Sequence, residues 1–370
     1  MSTAEAERAS RYHRVGRWFW AAGTALDVAL PLAFWLSGIS GRLALQAARI
    51  GTPWLDVALY LVVAGTGYAI VTAPLTLLRG YAVPHRYGLL RQTLRGWSGD
   101  AAKGAALAGA FGLIALEFVY WTFTALPRWW WLVCGVAALL VSLLVGLVAP
   151  VLLAPLFFRF KPLQRADILA RIHGVLERGG LRARGVYEFD LSRKYAAANA
   201  AVFGFGPTRR IVLADSLLDG YTAAEVEAVV AHELGHHAHR DLWIGVAAGG
   251  LVTLFSLLVV ALLFSPGALG TAVPLTNLAG FPLWLLVFEL AALALNPIAL
   301  AVSRWSERRA DSFARAIASE PGALSTALAR LGQESLADPA PPRWEVVWRY
   351  SHPPMYERAI SRQPSAASND

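Results

Sequence analysis

The chain has a single cysteine, two methionines and few charges: only 16% of its 370 residues are Asp, Glu, Lys or Arg. The lone Cys134 excludes an intrachain disulfide framework and any cysteine-rich metal site. It also lies too far from the C-terminus to form a prenylation motif, so the chain is not itself expected to be prenylated. Arg8, Arg11, Arg14 and Arg17 precede the first apolar run like the basic start of a signal peptide, but no small-residue cleavage site follows. That run is also longer than a signal peptide's core, so a retained span is expected. No internal repeat or low-complexity tract is present. Carboxylates are the minority, 25 against 33 lysines and arginines.

Apolar length is what the chain does have. Hydrophobic residues make up 56% of it, more than one soluble core can absorb. Six runs reach the ~20 residues that cross a bilayer as a helix: Trp18 to Ile39, Trp54 to Leu78, Gly104 to Leu126, Trp129 to Phe158, Leu242 to Phe264 and Phe281 to Val302. Tryptophans cluster at run ends (Trp18, Trp20, Trp54, Trp129, Trp130, Trp131, Trp284), where an apolar ring with a polar tip suits the headgroup level. Arginine and lysine gather before the first span, between the second and third, from Arg159 to Arg240, and after the sixth. The alternate loops hold Arg42 and Arg49, then Arg128 alone, then none. That alternation predicts both termini on the cytoplasmic side of a plasma (inner) membrane. The basic balance therefore orients the chain in a lipid bilayer and does not point to nucleic acid.

The expected organisation is a bundle of about four spans over residues 1–158, a cytoplasmic subdomain over 159–241, a transmembrane hairpin over 242–302 and a C-terminal cytoplasmic segment over 303–370. In the subdomain, Asp167 to Gly179 has helical spacing, and "RGVYEFD" and "RRIVLAD" have the β-branched and aromatic content of strands. Between them "NAAVFGFG" is extended, with Gly204 and Gly206 leaving the backbone open to close approach. A helix then starts with Thr222 as N-cap and Glu225 as its capping-box partner. "ADPAPPR" is a loop, and the terminal "QPSAASND" is disordered by composition.

That helix carries "HELGHHAH", which places four of the eight histidines within eight residues. His232 and His236 are four apart and project from one face, so they can share a metal ion. Glu233, one position round, can reach a metal-bound water without being a ligand. Imidazole suits Zn²⁺, and the reaction class is metal-assisted amide hydrolysis. A catalytic zinc takes three protein ligands and keeps one position open. The fifth and sixth spans return the chain to "SRWSERRADSFA", where Glu307 and Asp311 are again four apart on one face. One can bind metal while the other accepts a hydrogen bond from a ligand imidazole. His237 points off the metal face. His239 shares it, but three ligands along one straight helix span about 10 Å, so His239 is expected to be a solvated neighbour. His13, His85 and His173 are incidental. In "YSHPPMYERA", His352 before a proline pair could stabilise a developing oxyanion, with Arg358 six residues on.

Together "HELGH", "ERRAD", "NAAVFGFGPTRRIVLADSLL" and "SHPPMYERA" resemble the membrane-embedded zinc metalloproteases that include the CAAX prenyl proteases (peptidase family M48), with the bacterial heat-shock membrane proteases more distant. "VAPVLLAPLFFRFKPL" resembles the segment ahead of the soluble region in that group, and "APLTLLRGYAVPHRYGLLRQTLRGW" matches an earlier loop more loosely. The likeness implies a mainly α polytopic membrane protein with a cytoplasmic zincin-like α+β metalloprotease domain. It implies one zinc held by His232, His236 and Glu307, with Glu233 as general base and acid. It implies that Asp311 supports a ligand and that His352 and Arg358 belong to the site. It further implies that Asn199, Ala200 and Gly204 in and beside the "AAVFG" strand hold the backbone of a polypeptide substrate, which suits edge-strand capture. In the eukaryotic prenyl proteases seven helices enclose a large hollow chamber, against six spans here. The "HHAHRD" after the core motif departs from the prenyl protease type.

Two other classes compete with a peptidase. A membrane metal transporter would carry metal-binding polar groups inside its spans and paired half-repeats, whereas Asp27, Glu117 and Glu289 are scattered and no repeat is present. A non-catalytic zinc-binding scaffold would present a closed, four-liganded site.

Overall fold

The computed structural model describes residues 2–204, 208–265 and 274–360; Gly206, part of the loop between the last two spans, and "QPSAASND" lie outside the described residues. Six helices among the described residues are long and apolar enough to cross a membrane. The first, α1 (Thr3–Leu36), starts fifteen residues ahead of the expected span, because Ser2 and Glu5 close a reciprocal capping box. A short α2 (Ile39–Ala47) leads to α3 (Pro53–Leu77), which passes through a wide turn at Leu78–Ala82 into α4 (Val83–Arg86). Pro84 has no N–H to give the preceding turn, and the wide turn accommodates that loss. The third long helix, α5 (Leu94–Ala125), also starts early, its Gly96 N–H capped by Thr93 Oγ1 at 3.2 Å. The fourth, α6 (Trp130–Leu152), ends six residues short of the expected Phe158, ahead of Pro155.

A four-stranded sheet follows, in the order β1-β2-β4-β3: β1 (Phe160–Pro162), β2 (Gly185–Phe189), β3 (Ala200–Phe203) and β4 (Arg210–Ala214). β2 and β4 pair in parallel, with Gly185 opposite Arg210. β3 pairs antiparallel with β4, Ala200 opposite Leu213, which leaves β3 at an edge of the sheet. The strand β1 was not expected from the sequence, being three residues of "FKP". Helix α7 (Ala166–Arg178), the short α8 (Asp215–Gly220) and α9 (Ala223–Ala238) pack around the sheet. Ile168, Ile172 and Val175 of α7, Ile211 and Leu213 of β4, and Val226, Val230 and Leu234 of α9 are fully buried in one core. Helix α9 begins as its sequence predicts: Glu225 N–H reaches Thr222 Oγ1 at 3.3 Å, and Thr222 N–H reaches Glu225 Oε2 at 2.9 Å.

The chain re-enters the apolar region as α10 (Asp241–Leu263) and comes back as α11 (Phe281–Ile317). The expected sixth span stops at Val302, but α11 continues unbroken through "SRWSERRADSFA". Helices α12 (Ala323–Glu334), α13 (Arg343–Arg349) and α14 (Met355–Ile360) complete the fold. The fully buried Glu345 of α13 accepts hydrogen bonds from Arg17 of α1, at 2.9 Å, and from Arg349, tying the chain's last part to its first.

Helices α6 and α10 meet through reciprocal glycines. A Cβ on Gly135 would lie 2.5 Å from Leu254 Cδ1, and one on Gly250 would lie 2.8 Å from Leu139 Cδ1. Small residues of this kind let membrane helices approach closely where no hydrophobic drive separates protein from lipid. Gly250→Val is expected to lower stability by about 1–3 kcal/mol through overpacking. Gly249→Val, where an added Cβ meets nothing within 4 Å, serves as the matched control. Thermal unfolding in detergent checks this, and equal losses from the two variants would contradict the close α6–α10 packing.

Candidate active site

Three elements supply the site: α9, the end of α11, and the segment from Ser351 to α14. The hairpin of α10 and α11 returns the chain beside α9, and a glycine allows the approach. A Cβ on Gly235 would sit 2.9 Å from Ala310 Cα, so a larger residue here would push the two helices apart. His232 and His236 on α9 then face Glu307 on α11, and one ligand atom from each of the three lies within 4.8 Å of the others.

His232 Nε2 and His236 Nε2 are 3.3 Å apart, and Glu307 carboxylate oxygens stand 3.4 Å from each. The opposite ring nitrogens each face a carboxylate: His232 Nδ1 lies 2.9 Å from Asp311 Oδ1, and His236 Nδ1 lies 2.9 Å from Asp241 Oδ2. When each Nδ1–H donates to its carboxylate, the neutral rings turn Nε2 lone pairs toward each other and toward a third acceptor. With both rings neutral, these three converging acceptors would be satisfied together by one cation among them. Two nitrogens bound to one tetrahedral ion at zinc-like bond lengths are about 3.3 Å apart, so the residues present fit a metal.

The carboxylates are themselves fixed. Arg358 is buried and grips Asp311 with two bonds, Nε to Oδ2 at 2.9 Å and Nη2 to Oδ1 at 2.7 Å. Its Nη2 also lies 3.2 Å from Glu307 Oε2. Asp241 is bound by Arg309, whose guanidinium stacks 3.7 Å over the Trp305 ring. His352 Nε2 approaches Glu307 Oε1 at 3.1 Å, while its Nδ1 meets Ser351 Oγ at 2.8 Å and much of the ring stays exposed. Burial pushes the Glu233 carboxyl above the ordinary glutamate range, opposed by the neighbouring His232 and His236 and reinforced by Glu307. Burial disfavours a charged His232, but Asp311 and Glu307 outweigh it and raise that imidazole to about 9.

The structure thus brings Glu233, Glu307, Asp311, His352 and Arg358 together with the two histidines. Asn199, Ala200 and Gly204 lie on and beside the edge strand β3, with Asn199 Oδ1 accepting the Ala200 N–H at 2.9 Å and Gly204 at φ +86°. Two further participants were missed. Asp241 belongs to the "HHAHRD" stretch, and its place opposite His236 depends on Arg240 adopting φ 58° between α9 and α10. A left-handed non-glycine residue is not readable from sequence. His237 Nε2 donates to the Val202 carbonyl at 2.8 Å, joining the histidine helix to β3. His239 is not simply solvated: its ring packs edge-on against Phe313 with centroids 5.8 Å apart.

Asp241→Asn removes a carboxylate acceptor, and apparent metal affinity is expected to fall roughly 10–100-fold, as for other groups that orient ligands. Competition against a chelator in detergent measures this, and an unchanged affinity would remove Asp241 from the site. Because His232 holds its proton up to about 9, metal binding near neutrality must displace it. Apparent affinity is therefore expected to rise about tenfold per pH unit from 7 toward 9. A flat titration over that window would contradict the imidazole's assigned environment.

The peptidase family M48 model matches residues 162–361, more than half the chain. The model described as "CAAX prenyl protease N-terminal, five membrane helices" matches residues 1–159. An uncharacterized metalloprotease of Bacillus subtilis (strain 168), YhfN, is 28% identical over 370 residues, covering 97% of this chain and 85% of that protein. A probable CAAX prenyl protease 1 of Schizosaccharomyces pombe is 25% identical over 293 residues. The match takes in 78% of this chain and 62% of that relative's length. The crystal structure of S. mikatae Ste24p superposes with a TM-score of 0.83 at 22% identity, covering 98% of this chain and 89% of that one, and shows the same fold. The chain belongs to peptidase family M48: it is a metalloendopeptidase whose N-terminal membrane helices are of the CAAX prenyl protease type.

Proposed function

We propose that the chain is a zinc-dependent integral membrane endopeptidase that hydrolyses membrane-associated or hydrophobic polypeptides, CAAX-type prenylated chains among the candidates, at the cytoplasmic membrane face. One observation carries the reading: the ligand-facing nitrogens of His232 and His236 converge with the Glu307 carboxylate while each ring's far nitrogen stands 2.9 Å from a carboxylate of its own. When bound there, zinc would supply Lewis acidity that polarises a peptide carbonyl and acidifies water.

The chain's own groups divide the remaining tasks. Glu233 removes a proton from the attacking water and passes it to the nitrogen of the leaving amine, and its burial-raised affinity for protons suits both transfers. His352 is exposed enough to reach the substrate, and its Nε2–H, once turned from Glu307, donates a hydrogen bond to the carbonyl oxygen as negative charge develops. Asp311, held by Arg358, keeps the His232 ring in the tautomer a metal needs.

Strand β3 gives the substrate a backbone to pair with. Asn199 carbonyl accepts the Ala214 N–H at 2.9 Å, so by antiparallel alternation the polar groups of Ala200 and Val202 face the open side. His237 occupies the Val202 carbonyl and Asn199 Oδ1 the Ala200 N–H, which leaves the outward Ala200 carbonyl, between Asn199 and Gly204, as the pairing point for an extended peptide. The placement at the cytoplasmic face rests on the distribution of arginine and lysine among the loops.

Glu233→Gln is expected to keep bound metal while losing roughly a thousandfold in peptide hydrolysis, the scale of a lost general base. Comparing membrane proteomes with wild-type and Glu233→Gln protein should reveal uncut substrates accumulating with the variant, without presuming lipidation. Undiminished cleavage by a metal-loaded Glu233→Gln protein would reject the mechanism.

A further inference from the structure

Two stretches with no part in the metal site, "LRQTLRGW" ahead of and into α5 and "APLFFRF" behind α6, meet in the fold. With Arg193 and Lys194 they enclose a cavity of about 560 Å³. Five cations line it, namely Arg95, Lys103, Arg159, Arg193 and Lys194, against the single carboxylate of Asp100. That carboxylate is fully engaged: it accepts from Gln92 Nε2 at 2.6 Å, from Lys103 Nζ at 3.3 Å and from Lys194. Lys194 is buried, with its ammonium 4.8 Å from the Phe158 ring centroid and 5.6 Å from that of Phe157. This pair fixes one wall of the cavity.

Arg95 and Arg159 are different. Both are exposed at the cavity, and neither guanidinium makes a hydrogen bond or ion pair among the described residues. The first turn of the 32-residue helix α5 opens here too, its Gly96 N–H capped by Thr93 Oγ1, and adds the helix's positive end. The cavity therefore presents a surplus of positive charge with two free, fork-shaped donors suited to phosphoryl oxygens. Leu156 gives it an apolar rim, and Leu94, Val151 and Leu152, close in sequence to its lining residues at the start of α5 and the end of α6, are exposed as well. A water-soluble anion has no use for such a rim, whereas a lipid uses both parts.

We propose that this cavity binds the phosphate of an anionic membrane lipid, its acyl chains lying along the exposed ends of α5 and α6. Arg95 and Arg159 grip the phosphoryl oxygens, and the Lys194–Asp100 pair holds the wall behind them. The site is independent of the metal centre, so its test needs no turnover.

The test uses the full-length protein in nanodiscs of phosphatidylcholine with and without phosphatidylglycerol, with retained lipid read by native mass spectrometry. Wild-type protein is expected to retain phosphatidylglycerol. The Arg95→Gln/Arg159→Gln protein should lose roughly thirtyfold in retention, the effect of two interfacial cations, while Arg95→Lys/Arg159→Lys keeps most of it. As neither side chain has a partner among the described residues, unfolding temperatures should agree, and the single glutamine variants should retain intermediate amounts. Inorganic phosphate and a poly-glutamate peptide, added to phosphatidylcholine nanodiscs, distinguish the other sources of negative charge. Equal phosphatidylglycerol retention by wild-type and double-glutamine proteins would overturn the proposal. So would arginine-dependent binding of inorganic phosphate or of the peptide without retained lipid.

Discussion

Two imidazoles and a carboxylate pointed at one small volume repel one another unless a cation stands between them. The fold holds them there by bracing each ring from behind: Asp311, clamped by Arg358, backs His232, and Asp241, clamped by Arg309, backs His236. Each brace comes from a different helix than its ring, so the arrangement exists only when α9, α10, α11 and α14 are all in place. Buried acceptors left without partners are costly, and a metal that satisfies several at once would link its own binding to the stability of four helices.

The approach of α9 to α11 sets the scale of the site. Gly235 supplies the missing side-chain volume, and Ala310 opposite it is the smallest chiral residue. The glycine inside "HELGH" therefore has a packing reason that is separate from the chemistry of its neighbours. The same device recurs between α6 and α10, where Gly135 and Gly250 each receive a leucine from the facing helix. Close helix contacts thus build both the membrane part and the site that hangs from it.

Much of this could be read from residue order alone. The capping box at Thr222, the four-residue spacing of His232 and His236, and that of Glu307 and Asp311 are local signals, and local signals survive in sequence. What escaped reading depends on geometry set elsewhere. Asp241 reaches His236 only because Arg240 turns left-handed, and His237 finds the Val202 carbonyl only because β3 is the sheet's last strand on that side. Helix starts were misjudged where polar caps such as Ser2 and Thr93 precede the greasy run, since apolar length marks the lipid region and not the helix. The departure at "HHAHRD" contains one of the braces.

Helix α11 is a single rod of 37 residues, about 55 Å long. One end lies among lipids and the other carries Glu307 and Asp311. A lever of that kind converts tilt into sideways travel, and Pro297, ten residues before Glu307, is where such a rod bends most readily. Bilayer thickness and lateral pressure act on the lipid end, so any tilt they impose is carried by the same rod that holds Glu307 and Asp311.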